Sequence, residues 1–284
     1  MDPAANMDLD LAGLMQSVEA GVPVLRATAA ELARMEREQD RISGNALSGV
    51  ILRDPLMTLR VLRFLHGHRT RSQTADITTI AHAIMMMGLA RFFREFGALA
   101  VLEEQAKLGT QTLARLHAAM SRARLAALFA RDWAVHRHDL DPEEVMVAAL
   151  LHDVAELLVL LRWPDAALQT APAELRAKLF ERLGLPGLIR ELTEDDQTQN
   201  PRVLSVRYAC ELSRHCAAGW HDPAIGEDLA RVQRLLHVSA AEIWERVRRV
   251  ALQAAREWQV YGVRPAAAHL PMLPEYPDPG PAPA

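Results

Sequence analysis

The sequence predicts an all-α protein, and three observations carry that prediction. Ala, Leu, Arg and Glu, which lose little side-chain freedom in a helix, are abundant, while aromatics make up 5 % of the chain and β-branched residues are sparse. No segment alternates polar and apolar residues as a half-buried strand does. Asp-Pro steps at Asp54-Pro55, Asp141-Pro142 and Asp222-Pro223 supply helix starts, with the carboxylate capping free N–H groups and the proline at a position that tolerates its missing donor. The 284 residues, half of them hydrophobic, suffice for one large core or two smaller lobes.

The elements follow in order. Residues Leu9–Glu38 read as one or two helices, interrupted at Gly21-Val22-Pro23, because a proline inside a helix loses a hydrogen bond. A helix starts at Asp54-Pro55, with Leu56, Leu59, Val61, Leu62 and Leu65 on its apolar side. A polar loop spans 66–74, an apolar helix runs from Ile77 to Met87 and stops at Gly88, and Phe92–Leu102 continues the lobe. Leu113–His136 is a long helix with Leu116, Met120, Leu125, Leu128 and Phe129 as core positions.

Asp141-Pro142-Glu143-Glu144 has the form of a capping box, with Glu three positions after the cap, and opens a helix expected to run unbroken to about Arg162. Shorter helices are expected from Pro172 to Gly184 and from Pro186 to Leu192, followed by a polar loop to Pro201. Helices then cover Arg202–Ala218, a segment from Asp222-Pro223, and Ser239–Val260, where Ile243, Val247, Val250 and Ala254 face the core. The expected organisation is an N-terminal segment (1–13), a first lobe (14–108), a second lobe (109–262) and a mobile Pro/Ala-rich tail (263–284).

Several function classes are disfavoured. The net charge of −4 argues against broad nucleic-acid binding, which draws affinity from neutralised phosphates. No apolar run reaches the roughly 18–20 residues of a membrane span. The acidic start, MDPAANMDLD, does not resemble a signal peptide, so a cytoplasmic location is expected. On one helix Cys210 and Cys216 would stand about 9 Å apart, beyond the roughly 7 Å limit of a disulfide, as free thiols of a reducing compartment.

The candidate chemistry centres on Leu150-Leu151-His152-Asp153-Val154-Ala155-Glu156-Leu157. Apolar neighbours bury the His152-Asp153 pair, and a buried carboxylate needs a metal, a cation or backbone donors. Imidazole and carboxylate suit a divalent ion, but two ligands do not make a site. A hydrogen-bonded pair kept for packing is the simpler reading.

This stretch resembles the Leu-Leu-His-Asp-Ile-Gly-Lys-Leu segment of the HD superfamily. The chain from about Leu14 to Val260 is similar, more specifically, to the HDOD family, the HD-related output domains. The segment Val50-Ile51-Leu52-Arg53-Asp54-Pro55-Leu56-Met57-Thr58-Leu59-Arg60-Val61-Leu62-Arg63 resembles that family's Ile-x-x-Asp-Pro-x-Leu-Thr-x-x-x-Leu signature. The stretch from Ile77 to Leu89 resembles its Ile-x-x-x-x-x-Ala-Ile-x-x-Leu-Gly block. The resemblance implies a two-lobed multi-helix bundle of the HD/HDOD type and a bacterial regulatory role, usually without catalysis. It also locates the other ligands of an active relative. One falls near Met120, with His117 a turn away as a substitute; a paired position falls at Asp195 and Asp196; a later one falls at Cys210. A thioether is a poor ligand for a hard ion and Cys210 alters metal preference, so the resemblance implies a degenerate metal site with no metal and no cofactor.

The expected function is signal transduction through a protein partner, without catalysis, with self-association left open. The alternatives are a metal-dependent phosphohydrolase or phosphodiesterase acting on a nucleotide, and a sensor of a nucleotide second messenger. Arg60, Arg63, His66, Arg69 and Arg71 form a basic candidate partner surface, against the simpler reading of a solvated face. Cys210, near Arg207 and Arg214, is a redox-sensor candidate against the simpler reading of a small core residue.

Overall fold

The computed structural model describes residues 7–68, 76–166, 173–194 and 198–270. Among them no β-strand occurs, and the single bridge joins Val24 to Val101. The first helices are α1 (Met7–Glu19), α2 (Arg26–Arg37), α3 (Gly44–Ile51), α4 (Pro55–Gly67), α5 (Ile80–Met87) and α6 (Leu89–Phe96). The remainder are α7 (Thr110–His136), α8 (Pro142–Leu151), α9 (Val154–Arg162), α10 (Ala173–Arg182), α11 (Gly187–Leu192), α12 (Pro201–Ala218), α13 (Ala224–Leu236), α14 (Ala240–Ala255) and α15 (Trp258–Tyr261).

Helices α2 to α6 pack on one another, and α7 is the axis of the second group, flanked by α8, α12 and α14. The α7 sequence explains this placement: Leu116, Met120, Leu125, Leu128 and Phe129 are all buried as expected, and alanines between them allow close approach on several sides. Helix α1 packs on α9 and α10, so the first helix spans from one group to the other.

The Asp-Pro starts at Asp54 and Asp141 form as expected, with the proline in the first turn, whereas at Asp222 the proline is itself the N-cap and α13 begins at Ala224. Asp54 Oδ1 accepts from the N–H groups of Leu56 (2.9 Å) and Met57 (3.0 Å), while Oδ2 accepts from Leu25 (2.8 Å), which ties α4 to the start of α2. Asp141 and Asp222 accept from Glu143 and Ala224. The capping box at Asp141 is not closed. Instead Glu143 Oε1 crosses to the start of α5, accepting from Ile80 N (2.6 Å) and Ala81 N (3.0 Å), and Glu144 accepts from Thr78 and Arg202. These carboxylates join the two groups of helices.

The stretch Phe92–Leu102 is helical only to Phe96: Gly97-Ala98 lets the chain extend so that Val24 N meets Ala100 O and Leu102 N meets Val24 O. Two other expectations are corrected. The last long helix breaks after Ala255, because Glu257 turns to meet Arg124. The tail is not loose from 263 on. Residues Ala266–His269 form a short 3₁₀ turn against α14 and α12, pinned by the Trp220 indole donating to Ala266 O at 2.5 Å, while 271–284 lie outside the described residues.

Candidate functional site: a buried His-Asp pair faced by two arginines

The expected unbroken helix through His152-Asp153 is two helices. α8 ends at Leu151, and Asp153, at φ −97° and ψ 15°, leaves helical geometry before α9 begins at Val154. The backbone turn aims the pair inward at a junction rather than along a helix face. Both residues are buried. The His152 Nδ1–H donates to Asp153 Oδ1 at 2.7 Å, which fixes the tautomer, since an ionised carboxylate only accepts.

The other carboxylate oxygen meets cations. Arg214 Nη2, from α12, lies 3.4 Å from Asp153 Oδ2, and Arg122 Nε, from α7, lies 3.9 Å away. Arg122 Nη2 donates to Glu156 Oε2 at 2.8 Å, one turn along α9. Two carboxylates and two guanidiniums therefore converge from three elements.

At an effective dielectric of about 20, a charge pair near 4 Å gains about 4 kcal/mol, comparable with the several kcal/mol lost in desolvating each ion. Burial pushes the Asp153 carboxyl up, but the His152 hydrogen bond and the charges of His152, Arg214 and Arg122 outweigh it and hold the group well below the usual carboxylate range. Burial wins at Glu156, whose carboxyl is raised despite Arg122, with Asp153 adding repulsion.

The remaining candidate ligands do not join the pair. Met120 is wholly buried in the core. His117 Nε2 stands 3.3 Å from Glu103 Oε1, on the first group of helices. Cys210 is buried with Sγ 3.8 Å from the Ala149 carbonyl oxygen. Asp195 and Asp196 lie outside the described residues. No group of three His, Cys, Asp or Glu side chains among the described residues is placed to hold a metal ion. Guanidiniums against the second oxygen of Asp153 are a donor set that does not fit a divalent cation.

Arg122, Arg214 and Glu156 were missed as site residues. A signal was present: Arg122 lies two residues after Met120 and Arg214 four after Cys210, so each follows an expected ligand position within about a turn.

The redox and partner-surface candidates are also relocated. Both thiols are free and buried, and burial pushes the Cys216 thiol up. Arg207 stacks on Tyr208 and Arg214 serves Asp153, which leaves Cys210 as a core residue. Arg60 Nη1 donates to Val22 O (2.6 Å) and Arg63 Nη1 to Val18 O (2.9 Å), so these cations hold the end of α1 and the segment after it. The His66 ring packs on Gly184, leaving no room there for a Cβ. Arg69 and Arg71 lie outside the described residues.

Comparison with known proteins places this geometry in context. The HDOD domain model matches residues 22–183. The MmoQ response regulator of Methylococcus capsulatus str. Bath is similar in structure, with a TM-score of 0.57 and 19 % identity over 75 % of this chain and 97 % of that one. A virulence factor (cj0248) of Campylobacter jejuni subsp. jejuni is similar at a TM-score of 0.58 and 17 % identity, over 86 % of this chain and 99 % of that one. At these identities the two structures establish a shared fold. No curated protein matches significantly.

Proposed function

Because the chain belongs to the HDOD domain family, we propose that it is a noncatalytic signalling protein that acts by binding a partner protein. One observation carries the reading: the second oxygen of Asp153, which a metal enzyme of the HD type would need, faces Arg214 and Arg122. The pair is then a structural remnant, and function lies on the surfaces of the two lobes (14–108 and 109–262) and the cleft between them. The free thiols support placement in the reducing cytoplasm of a bacterium. Separately, no described helix is long and apolar enough to cross a membrane.

The test is turnover of an activated phosphodiester, bis(p-nitrophenyl) phosphate, with Mn²⁺ or Mg²⁺ supplied. The reading expects identical background rates for the protein and for Asp153→Asn. Turnover lost in Asp153→Asn would overturn it in favour of a metal-dependent phosphodiesterase.

A further inference from the structure

The outer face of α14 is exposed and carries both apolar and cationic groups. Leu252 there is 43 % exposed and Trp258, just beyond on α15, is 50 % exposed, although both are large apolar side chains. Arg248, Leu252 and Arg256 follow at steps of four residues, so they form one row along the helix. Arg249 is held by Asp132 and takes no part. Arg248 lies 3.6 Å from Glu245, a loose pair with both side chains exposed. Arg256 is exposed and makes no ion pair among the described residues.

The path of the chain brings a candidate occupant to this row. The turn at Ala266–His269 packs on α14 and is pinned by Trp220 at Ala266. The chain therefore passes beyond the described residues, after Leu270, beside α14. The 14 residues that follow, PMLPEYPDPGPAPA, reach up to about 46 Å when extended. Helix α14, of 16 residues, is about 24 Å long.

This segment complements the row in charge and in backbone type. It carries Glu275 and Asp278 and no Lys or Arg. Six of its 14 residues are proline, which fixes backbone torsions in advance and lowers the entropy lost on docking. At the polyproline rise of about 3.1 Å per residue, the two acids recur on one side about 9 Å apart. Arg248 and Arg256 are separated by about 12 Å along the helix, a difference that their long side chains span. Leu273 and Tyr276 recur on another side by the same three-residue step. Proline-rich segments dock on surfaces that offer aromatic rings, as Trp258 does here.

We propose that the outer face of α14 is a docking surface for an acidic, proline-rich segment, and that residues 271–284 of this chain occupy it. Glu275 and Asp278 then meet Arg248 and Arg256, while Leu273 and Tyr276 cover Leu252 and Trp258. This docking does not depend on partner binding elsewhere on the two lobes, so its failure leaves that reading standing.

Nitrogen-15 relaxation of the full chain tests it, through the amide order parameters of Leu273 and Tyr276. Both are expected above about 0.6 in the parent chain, the value below which a backbone is flexible. Both should fall below that value in Arg256→Glu and in Glu275→Lys/Asp278→Lys. The second variant alters no residue of the described helices and carries the test alone if circular dichroism shows that Arg256→Glu does not fold. Flexible values in the parent chain overturn the proposal. Values that stay high in either folded variant also overturn it, because the segment is then held elsewhere. So do values that rise with protein concentration, which mark docking on a second copy of the chain.

Discussion

Asp153 and Arg214 meet at 3.4 Å although 61 residues separate them in sequence. The contact joins the α8–α9 turn to α12, and Arg122 joins α7 to the same carboxylate. A buried acid is thereby compensated by protein cations, and the cost of breaking that arrangement is measurable.

Arg122→Met leaves Glu156 and part of the Asp153 charge without a counter-ion. Removing one partner of a buried pair costs about 3–5 kcal/mol. Urea unfolding should show a loss of that size, and less than about 1 kcal/mol would mean that Arg122 is a solvated surface charge.

The acid limb of the stability profile follows from the same site. The folded pKa of Asp153 lies below its unfolded value of about 3.9, so its contribution is complete above about pH 4 and is lost as the pH falls through the folded value. Glu156 has the opposite sign, since its raised carboxyl favours the folded state as it protonates. The stability gap between the parent chain and Asp153→Asn should therefore narrow on acidification below pH 4. A gap that stays constant down to acid unfolding would remove Asp153 from the linkage.

Glu143 adds a second cap to α5, through Ile80 N and Ala81 N, beside the Thr79 hydroxyl that accepts from His82 N. Glu143→Ala should cost about 1–2 kcal/mol, the range of lost caps. Amide exchange at Ile80 and Ala81 should accelerate more than exchange at the core of α7. Equal protection in the variant would show that the carboxylate is not the cap.

The two thiols are both buried, and burial raises the Cys216 thiol. Reaction with a thiol reagent at neutral pH should therefore wait on unfolding. Rapid modification of either cysteine in the folded protein would reopen the redox reading of Cys210.

The sequence carried the helix starts because their chemistry is local: Asp54 and Asp141 cap within three residues of themselves. The HDOD signatures were legible for the same reason. The break at His152-Asp153 was not, since its apolar surroundings read as helix on both sides and the turn depends on partners from α7 and α12. Glu144 misled in the same way, as a capping-box residue by spacing that is drawn instead to Thr78 and Arg202. The arginine pair depended on three elements converging, which spacing along the chain does not reveal. Its members nevertheless sat within about a turn of the positions that the family resemblance marked as ligands.

The central claim is that guanidinium groups, and not a metal ion, balance Asp153. Metal content of the chelator-free protein, measured by mass spectrometry beside Asp153→Asn, tests it most directly. The account predicts far less than one equivalent of any divalent metal in both proteins. A stoichiometric metal present in the parent and lost in Asp153→Asn would contradict it.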